Sequence, residues 1–327
     1  MASVAIPPLR IATRSSALAV WQAEHLAAAL LAARPASRIE LVPITTQGDR
    51  DRSNALSQMG GVGVFTREVQ EALLDGRADV AVHSLKDLPT DPVAGLQLGA
   101  VLPRAPRCDV LLLPQGRPCQ SLDDLLREAR VGTGSLRRQA QLRSRRPDLR
   151  LRDIRGNLDT RLRKLDDGEF DAIILAEAGL RRLGLADRIS LLLEPPLMYP
   201  AVGQGAIGVE CRDTDEASRS WLAEVDDAAT HCEALAERAC LAELRAGCHA
   251  PVGVWSRLEP AGPPTPTTVL HFEAAVWSLD GRERIGVTLA DRADDPEAVG
   301  REASRLLRGA GAGRLVEGQS VTGDENA

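Results

Sequence analysis

A chain of 327 residues with 44% hydrophobic and 26% charged side chains can bury real cores, which excludes wholesale disorder. At roughly 150 residues per domain its length predicts two or three domains. Aromatic residues at only 2%, with 40 basic against 46 acidic side chains and a net charge of −6, argue against a stacking platform for single-stranded nucleic acid and against a dedicated nucleic-acid binder.

The N-terminus, MASVAIPPLR, has no basic start followed by an apolar core, so no secretory leader is expected. No apolar run is long enough to span a bilayer, since Gln22, Glu24 and His25 interrupt the best early candidate. A short strand over 9–12, an Ala/Leu-rich helix over 17–33 and a strand over 39–44 come first. A helix over 66–75 then stops at Gly76, and residues 79–83 (DVAVH) form a compact β-branched run typical of a buried parallel strand. Strand, helix, strand in this order predicts βαβ units in an α/β sheet.

The plan then starts again. A strand over 110–113 precedes a short helix capped by Ser121 and running to 129, with Asp123 and Asp124 in its first turn. Residues 131–135 lead into a helix over 136–145, and 171–175 (DAIIL) echoes DVAVH. Two α/β halves of similar design predict a ligand cleft at the carboxyl ends of their strands. From about residue 226 the style changes. A helix over 228–244 runs into the loop RAGCHAPVG, and strands follow over 252–256, 269–277 and 284–289. The Pro-rich stretch 259–266 reads as an exposed connection, 296–307 as a last helix and 318–327 as a frayed tail.

Charge is distributed unevenly. Only Lys86 and Lys164 are lysines, an arginine bias that a GC-rich genome explains and that lowers the weight of any single arginine. Even so, residues 130–164 hold eleven Arg and one Lys against three Asp, a net of +9, which leaves −15 on the rest of the chain. Such a concentration suits carboxylates or phosphates, which the guanidinium fork pairs bidentately. Arg143, Arg145, Arg146, Arg150 and Arg152 read as a solvated helix face. Arg137 and Arg138 differ, because VGTGSLRRQ places them on the first turn after a strand-to-helix bend whose N–H groups attract anions. Arg155 precedes a glycine in IRGN at the end of another strand-like run.

In HSLKDLP (83–89) a buried strand delivers Ser84, Lys86 and Asp87 to its carboxyl end before Pro89 stops any helix. Lys86 and Asp87 there can serve as anion anchor and proton-handling carboxylate, or simply as a surface ion pair. The six cysteines, 108, 119, 211, 232, 240 and 248, include no CxxC pair, so neither a disulfide framework nor structural zinc is expected. A metal cluster drawn from His231, Cys232, Cys240, Cys248 and His249 fits no ligand spacing. Cys248, in a Gly/Pro loop, is either a nucleophile or an attachment point. The chain reads as cytoplasmic.

These residues resemble the hydroxymethylbilane synthase, or porphobilinogen deaminase, family. The matching segments are RIATRSSALAVWQ (10–22), GGVGVFTREVQEALLDGRADVAVHSLKDLPT (60–90), VGTGSLRRQAQLRSRRPDL (131–149), IRGNLDTRLRKLDDGEFDAIILAEAGLRRLGL (154–185), PAVGQGAIGVECR (200–212) and AGCHAPVG (246–253). The resemblance implies two α/β domains of the type II periplasmic-binding-protein kind around a cleft, residues 1–103 with 203–223 and residues 107–200. A smaller C-terminal α+β domain over 227–327 would carry the cofactor cysteine. It also implies a dipyrromethane held by a thioether to Cys248, addition of four porphobilinogens with loss of ammonia at each, and hydrolytic release of linear hydroxymethylbilane by a cytoplasmic monomer. There is no metal, nucleic-acid or membrane partner in that picture.

The roles implied are residue-specific. Asp87 is the catalytic carboxylate. It helps the substrate amine leave and stabilises the cationic azafulvene that results. The cofactor is held by Lys86, Asp87, Thr133, Ser135, Arg137, Arg138, Arg155 and Gly156, and the substrate by Arg14, Ser16, Gln22, Phe65, Arg155, Arg161 and Arg182. Val62 stands where many members have Lys, Gly134 where a Ser is common, Ala246 for a frequent Gly and Arg245 for a frequent acid. Two other readings use the same features: a two-lobed solute-binding protein without turnover, and a nucleic-acid binder using the Arg-rich stretch.

Overall fold

The computed structural model describes residues 7–46, 66–115, 117, 119–247, 250–260 and 268–317. The chain divides into two compact units, residues 1–105 with 206–231 and residues 106–205 with 232–327.

The first unit is built on β1 (Leu9–Arg14), α1 (Ala17–Ala33), β2 (Ile39–Ile44), α2 (Arg67–Leu74), β3 (Val80–Ser84), β4 (Leu96–Val101), β10 (Ile207–Arg212) and α6 (Glu216–Leu222). Its sheet has the order β2-β1-β3-β10-β4. β1 runs parallel to β2 and β3, whereas β10 is antiparallel to β3 and β4. The three central residues of the DVAVH run, Val80, Ala81 and Val82, are apolar in succession because both faces of the strand are covered. Val80 and Val82 pack with Leu26 and Leu30 of α1, and Ala81 packs with Val69 and Leu73 of α2.

The second unit repeats the scheme. It contains β5 (Asp109–Leu112), β6 (Arg130–Gly132), α3 (Leu136–Arg145), β7 (Arg150–Arg152), α4 (Leu158–Asp166), β8 (Ala172–Ala176), α5 (Glu177–Arg182) and β9 (Leu191–Leu193). The strand order is β7-β6-β8-β5-β9, with β6 parallel to β7 and β8 and with β5 antiparallel to β8 and β9. In each sheet a parallel trio is followed by one inserted antiparallel strand, the arrangement of type II periplasmic-binding-protein domains and the α/β class read from the sequence.

The same unit holds an antiparallel sheet of β11 (Val252–Pro260), β12 (Thr268–Trp277) and β13 (Arg284–Arg292). One face packs through Val254, Leu270, Phe272 and Val276 on α7 (Ala228–Glu243), α8 (Pro296–Gly309) and α9 (Gly313–Glu317). The other face puts Ala275 and Trp277 against Ala140 of α3 and Tyr199.

Two expectations are corrected. The helix from Ser121 to 129 is a single 3₁₀ turn, Leu122–Asp124, although its capping box is in place. The Arg146 guanidinium takes the carbonyls of Leu122 and Leu125 and pairs with Asp148 at 2.7 Å, so those carbonyls are satisfied without a continuing helix. For the same reason Arg146 does not belong to a solvated face. Arg143 also donates to the Leu279 carbonyl, at 2.6 Å, while Arg150 and Arg152 are exposed as expected but lie on strand β7, not on a helix.

Candidate active site

In the first unit the predicted residues follow the carboxyl ends of two parallel strands. Arg14 is the last residue of β1 and is half-buried. Ser16 caps α1, its Oγ accepting from the Ala19 N–H at 3.3 Å, so the hydroxyl proton stays available to a ligand. Gln22, buried on α1, donates through Nε2 to the Ser84 hydroxyl at 2.8 Å. That bond ties the helix to the end of β3, where a 3₁₀ turn over Leu85–Asp87 leaves Lys86 half-buried and Asp87 exposed.

The turn is anchored from both sides. The Leu85 N–H donates to the Ala206 carbonyl and the Leu88 N–H to the Leu85 carbonyl, each at 3.1 Å. One residue earlier, buried His83 lies 2.9 Å from the Glu210 carboxylate, whose two oxygens accept from Gln70 of α2 at 3.0 and 3.1 Å. Phe65 and Val62 lie outside the described residues.

In the second unit the candidates gather after β6, β7 and β8, whose common direction puts their carboxyl ends on one edge of the sheet. Thr133 is buried and its Oγ1 accepts from the Ser135 N–H at 3.3 Å, while the Ser135 hydroxyl makes no cap bond to α3. Gly134 is half-buried beside them. Arg155 is half-buried in the loop after β7. Gly156 adopts φ +104°, and a Cβ there would stand 2.6 Å from the Thr160 methyl, so the position requires glycine. Arg161 folds back to donate to the Gly156 carbonyl at 2.9 Å. Arg182 donates to the Gly205 carbonyl at 2.7 Å, and burial pushes its pKa down to about 10.

Arg137 and Arg138 converge on Asp109, a residue the sequence reading did not single out. Arg137 Nη1 donates to Asp109 Oδ2 at 2.6 Å, and Arg138 donates to Oδ1 from Nη2 at 2.7 Å and from Nε at 3.0 Å. Gln204 adds a bond to Oδ1 at 2.9 Å. Asp109 is 0% exposed and both arginines are buried. Burial alone would raise the Asp109 carboxyl, but the two guanidiniums hold it far below the usual carboxylate range. Burial in turn depresses Arg137 against the pull of Asp109.

Two guanidiniums sharing one carboxylate leave one positive charge in excess, in surroundings shielded from water. Uncompensated buried charge is expensive, so the cluster suits an anionic ligand. Carboxylates of a pyrrole acetate or propionate fit this donor set, and with it a dipyrromethane. The one sequence clue to Asp109 was an acid heading the apolar run CDVLLL.

Cys248 and His249 lie outside the described residues. Among the described cysteines none is paired, and burial pushes Cys108 up to about 11 and Cys240 up to about 12, far from thiolate chemistry at neutral pH. Among the described residues no group of His, Cys, Asp and Glu could hold a metal ion, and no helix is long and apolar enough to cross a membrane.

Comparison with known proteins bears on the same segments. Residues 9–220 match the family model "Porphobilinogen deaminase, dipyromethane cofactor binding domain", and residues 231–309 match "Porphobilinogen deaminase, C-terminal domain". Among curated relatives, the porphobilinogen deaminase of Stenotrophomonas maltophilia strain R551-3 is 44% identical over 94% of this chain and 98% of its own. That of Xanthomonas euvesicatoria pv. vesicatoria is 46% identical over the same shares. A solved structure of the Bordetella pertussis BvgS VFT2 domain is 17% identical, with a TM-score of 0.41 over 67% of this chain and 86% of that one. With both family models matched in order and nearly half the residues shared along almost the full length of each relative, this chain belongs to the porphobilinogen deaminase family.

Proposed function

We propose that this chain is a transferase that condenses four porphobilinogen molecules, one at a time, onto a dipyrromethane primer attached to Cys248, and then releases linear hydroxymethylbilane by hydrolysis. It does so as a cytoplasmic monomer without nucleic-acid or membrane partners. The observation that carries this reading is the buried Arg137–Arg138–Asp109 cluster with its surplus positive charge, inside the segment matching the cofactor-binding family model. The primer, when bound, supplies the carbon nucleophile for the first addition.

Each addition forms one carbon–carbon bond at the substrate's aminomethyl carbon and breaks that carbon's bond to nitrogen. The nitrogen leaves as ammonia and the proton displaced from the accepting pyrrole carbon passes to solvent or to the departing amine. Asp87, exposed at the end of β3, sets a negative charge where positive charge develops on the substrate as the amine departs. Arg14 and Ser16 anchor substrate carboxylates from the first unit. Lys86, Asp87, Thr133, Ser135, Arg137, Arg138, Arg155 and Gly156 hold the primer, and Arg155, Arg161 and Arg182 take the carboxylates of added pyrroles. Gln22 and Phe65 line the substrate end. The three sheets support a division into residues 1–103 with 203–223, residues 107–200 and residues 227–327.

Intact mass tests the reading. Wild-type protein carries the added mass of a dipyrromethane and Cys248→Ser carries none. Asp87→Asn retains the primer but loses at least about a hundredfold in turnover, the usual scale for removing a group that stabilises developing charge. A bare polypeptide mass that stays bare after incubation with porphobilinogen overturns it.

A further inference from the structure

The backbone of Tyr199 is gripped from one helix at both its N–H and its carbonyl. Gln141 of α3, itself buried, donates from Nε2 to the Tyr199 carbonyl at 3.0 Å and accepts the Tyr199 N–H on Oε1 at 2.7 Å. One turn earlier on the same face, Arg137 donates to that same carbonyl at 2.5 Å from the nitrogen that also serves Asp109. A guanidinium nitrogen held by a carboxylate on one side and a fixed carbonyl on the other has one orientation. The carbonyl is fixed because Gln141 occupies both hydrogen-bonding groups of its residue.

Tyr199 is equally tied to the sheet that follows Cys248. Its hydroxyl donates to Glu273 of β12 at 2.8 Å, and its ring lies 5.9 Å from that of Trp277. The next carbonyl, of Pro200, accepts from Val254 N–H of β11 at 3.0 Å. At Gly253 a Cβ would stand 2.5 Å from the Tyr199 Cβ and 3.0 Å from its carbonyl oxygen, so only glycine lets the two backbones approach this closely. Gly253 is five residues past Cys248.

We propose that Gln141 and Tyr199 act as a positioning clasp, setting the orientation of Arg137 and its register with the strand that follows Cys248. The proposal rests on the assignment of Arg137 to the primer site. A primer bonded to one segment and ion-paired with another needs that register, because an ill-placed guanidinium loses the bidentate geometry on which its grip depends. Gln141 and Tyr199 act through Arg137 and are not catalytic residues.

A double-mutant cycle tests the clasp. Full-length protein is purified from cells that make no porphobilinogen, and the rate of primer attachment after adding porphobilinogen is read as the intact-mass shift. Thermal melting of each bare chain gives a second readout. Arg137→Ala and Gln141→Leu each slow attachment about tenfold, and the double variant is no slower than Arg137→Ala alone within about twofold, since the second change removes support for a side chain already gone. Gly253→Ala, which displaces the Tyr199 carbonyl by steric contact, is taken through the same cycle with the same expectation, and serves where Gln141→Leu does not fold.

A role limited to stability would lower the melting temperature and make the two losses multiply, which overturns the clasp while leaving Arg137 in the site. Wild-type attachment in Gln141→Leu or Gly253→Ala also overturns it. Wild-type attachment in Arg137→Ala overturns the primer-site assignment itself, and the clasp with it.

Discussion

Asp109 is the residue on which the proposed anion site turns. Its carboxylate orients two guanidiniums at once and neutralises only one of them. Replacing it with Asn keeps the shape but leaves two buried cations facing an amide, and breaking a buried ion pair from one side costs about 3–5 kcal/mol. The sign of the pH dependence follows from its depressed pKa. The contribution is fully present above the unfolded carboxyl value of about 4 and drains away only as pH falls toward the folded value. The gap in urea midpoint between wild type and Asp109→Asn therefore stays constant from pH 8 to pH 5 and narrows below pH 4. A gap that narrows between pH 8 and 6 would assign the effect to another group.

At the scale of elements, what the sequence foretold depended on length and pattern. The helices at Ala17–Ala33 and Ala228–Glu243 and the strands Ile39–Ile44 and Val80–Ser84 emerge within a residue or two of expectation, because each repeats its residue type, helix formers in the helices and aliphatic or β-branched residues in the strands, often enough to be recognised. The three-residue strands β7 and β9 have no such repeat and are set by their neighbours in the sheet. Among site residues, Lys86, Asp87, Arg137 and Arg138 were legible as motifs beside strand ends. Asp109 was not, because its partners stand 28 and 29 positions later in sequence. The turn at Leu122–Asp124 failed in the opposite sense, a good local cap overruled by the Arg146 side chain just past the end of α3. Arg146→Ala should therefore loosen that turn alone, at about 1–3 kcal/mol for carbonyls left unserved. Hydrogen exchange should accelerate at residues 122–129 and stay unchanged in β1 and β3.

Across the whole molecule, opposing charges are segregated along the chain. Residues 130–164 carry +9 inside a protein of net −6, so a dicarboxylate pyrrole meets a repulsive average field and an attractive local one. The two respond differently to salt. Interactions with half-exposed Arg155 and Arg161 are screened once the Debye length falls to about 10 Å at 0.1 M, whereas the buried Arg137–Arg138–Asp109 cluster is shielded from mobile ions. If the local field governs capture, raising NaCl from about 0.05 to 0.5 M lowers kcat/KM for porphobilinogen about five- to tenfold through KM, with kcat changing less than about twofold. A rise in kcat/KM with salt would mean that the net negative charge dominates the approach and that the arginines act only at contact. A parallel fall in kcat would instead place the half-exposed arginines in the bond-forming step, where of the solvent-facing charges Asp87 alone is expected to act.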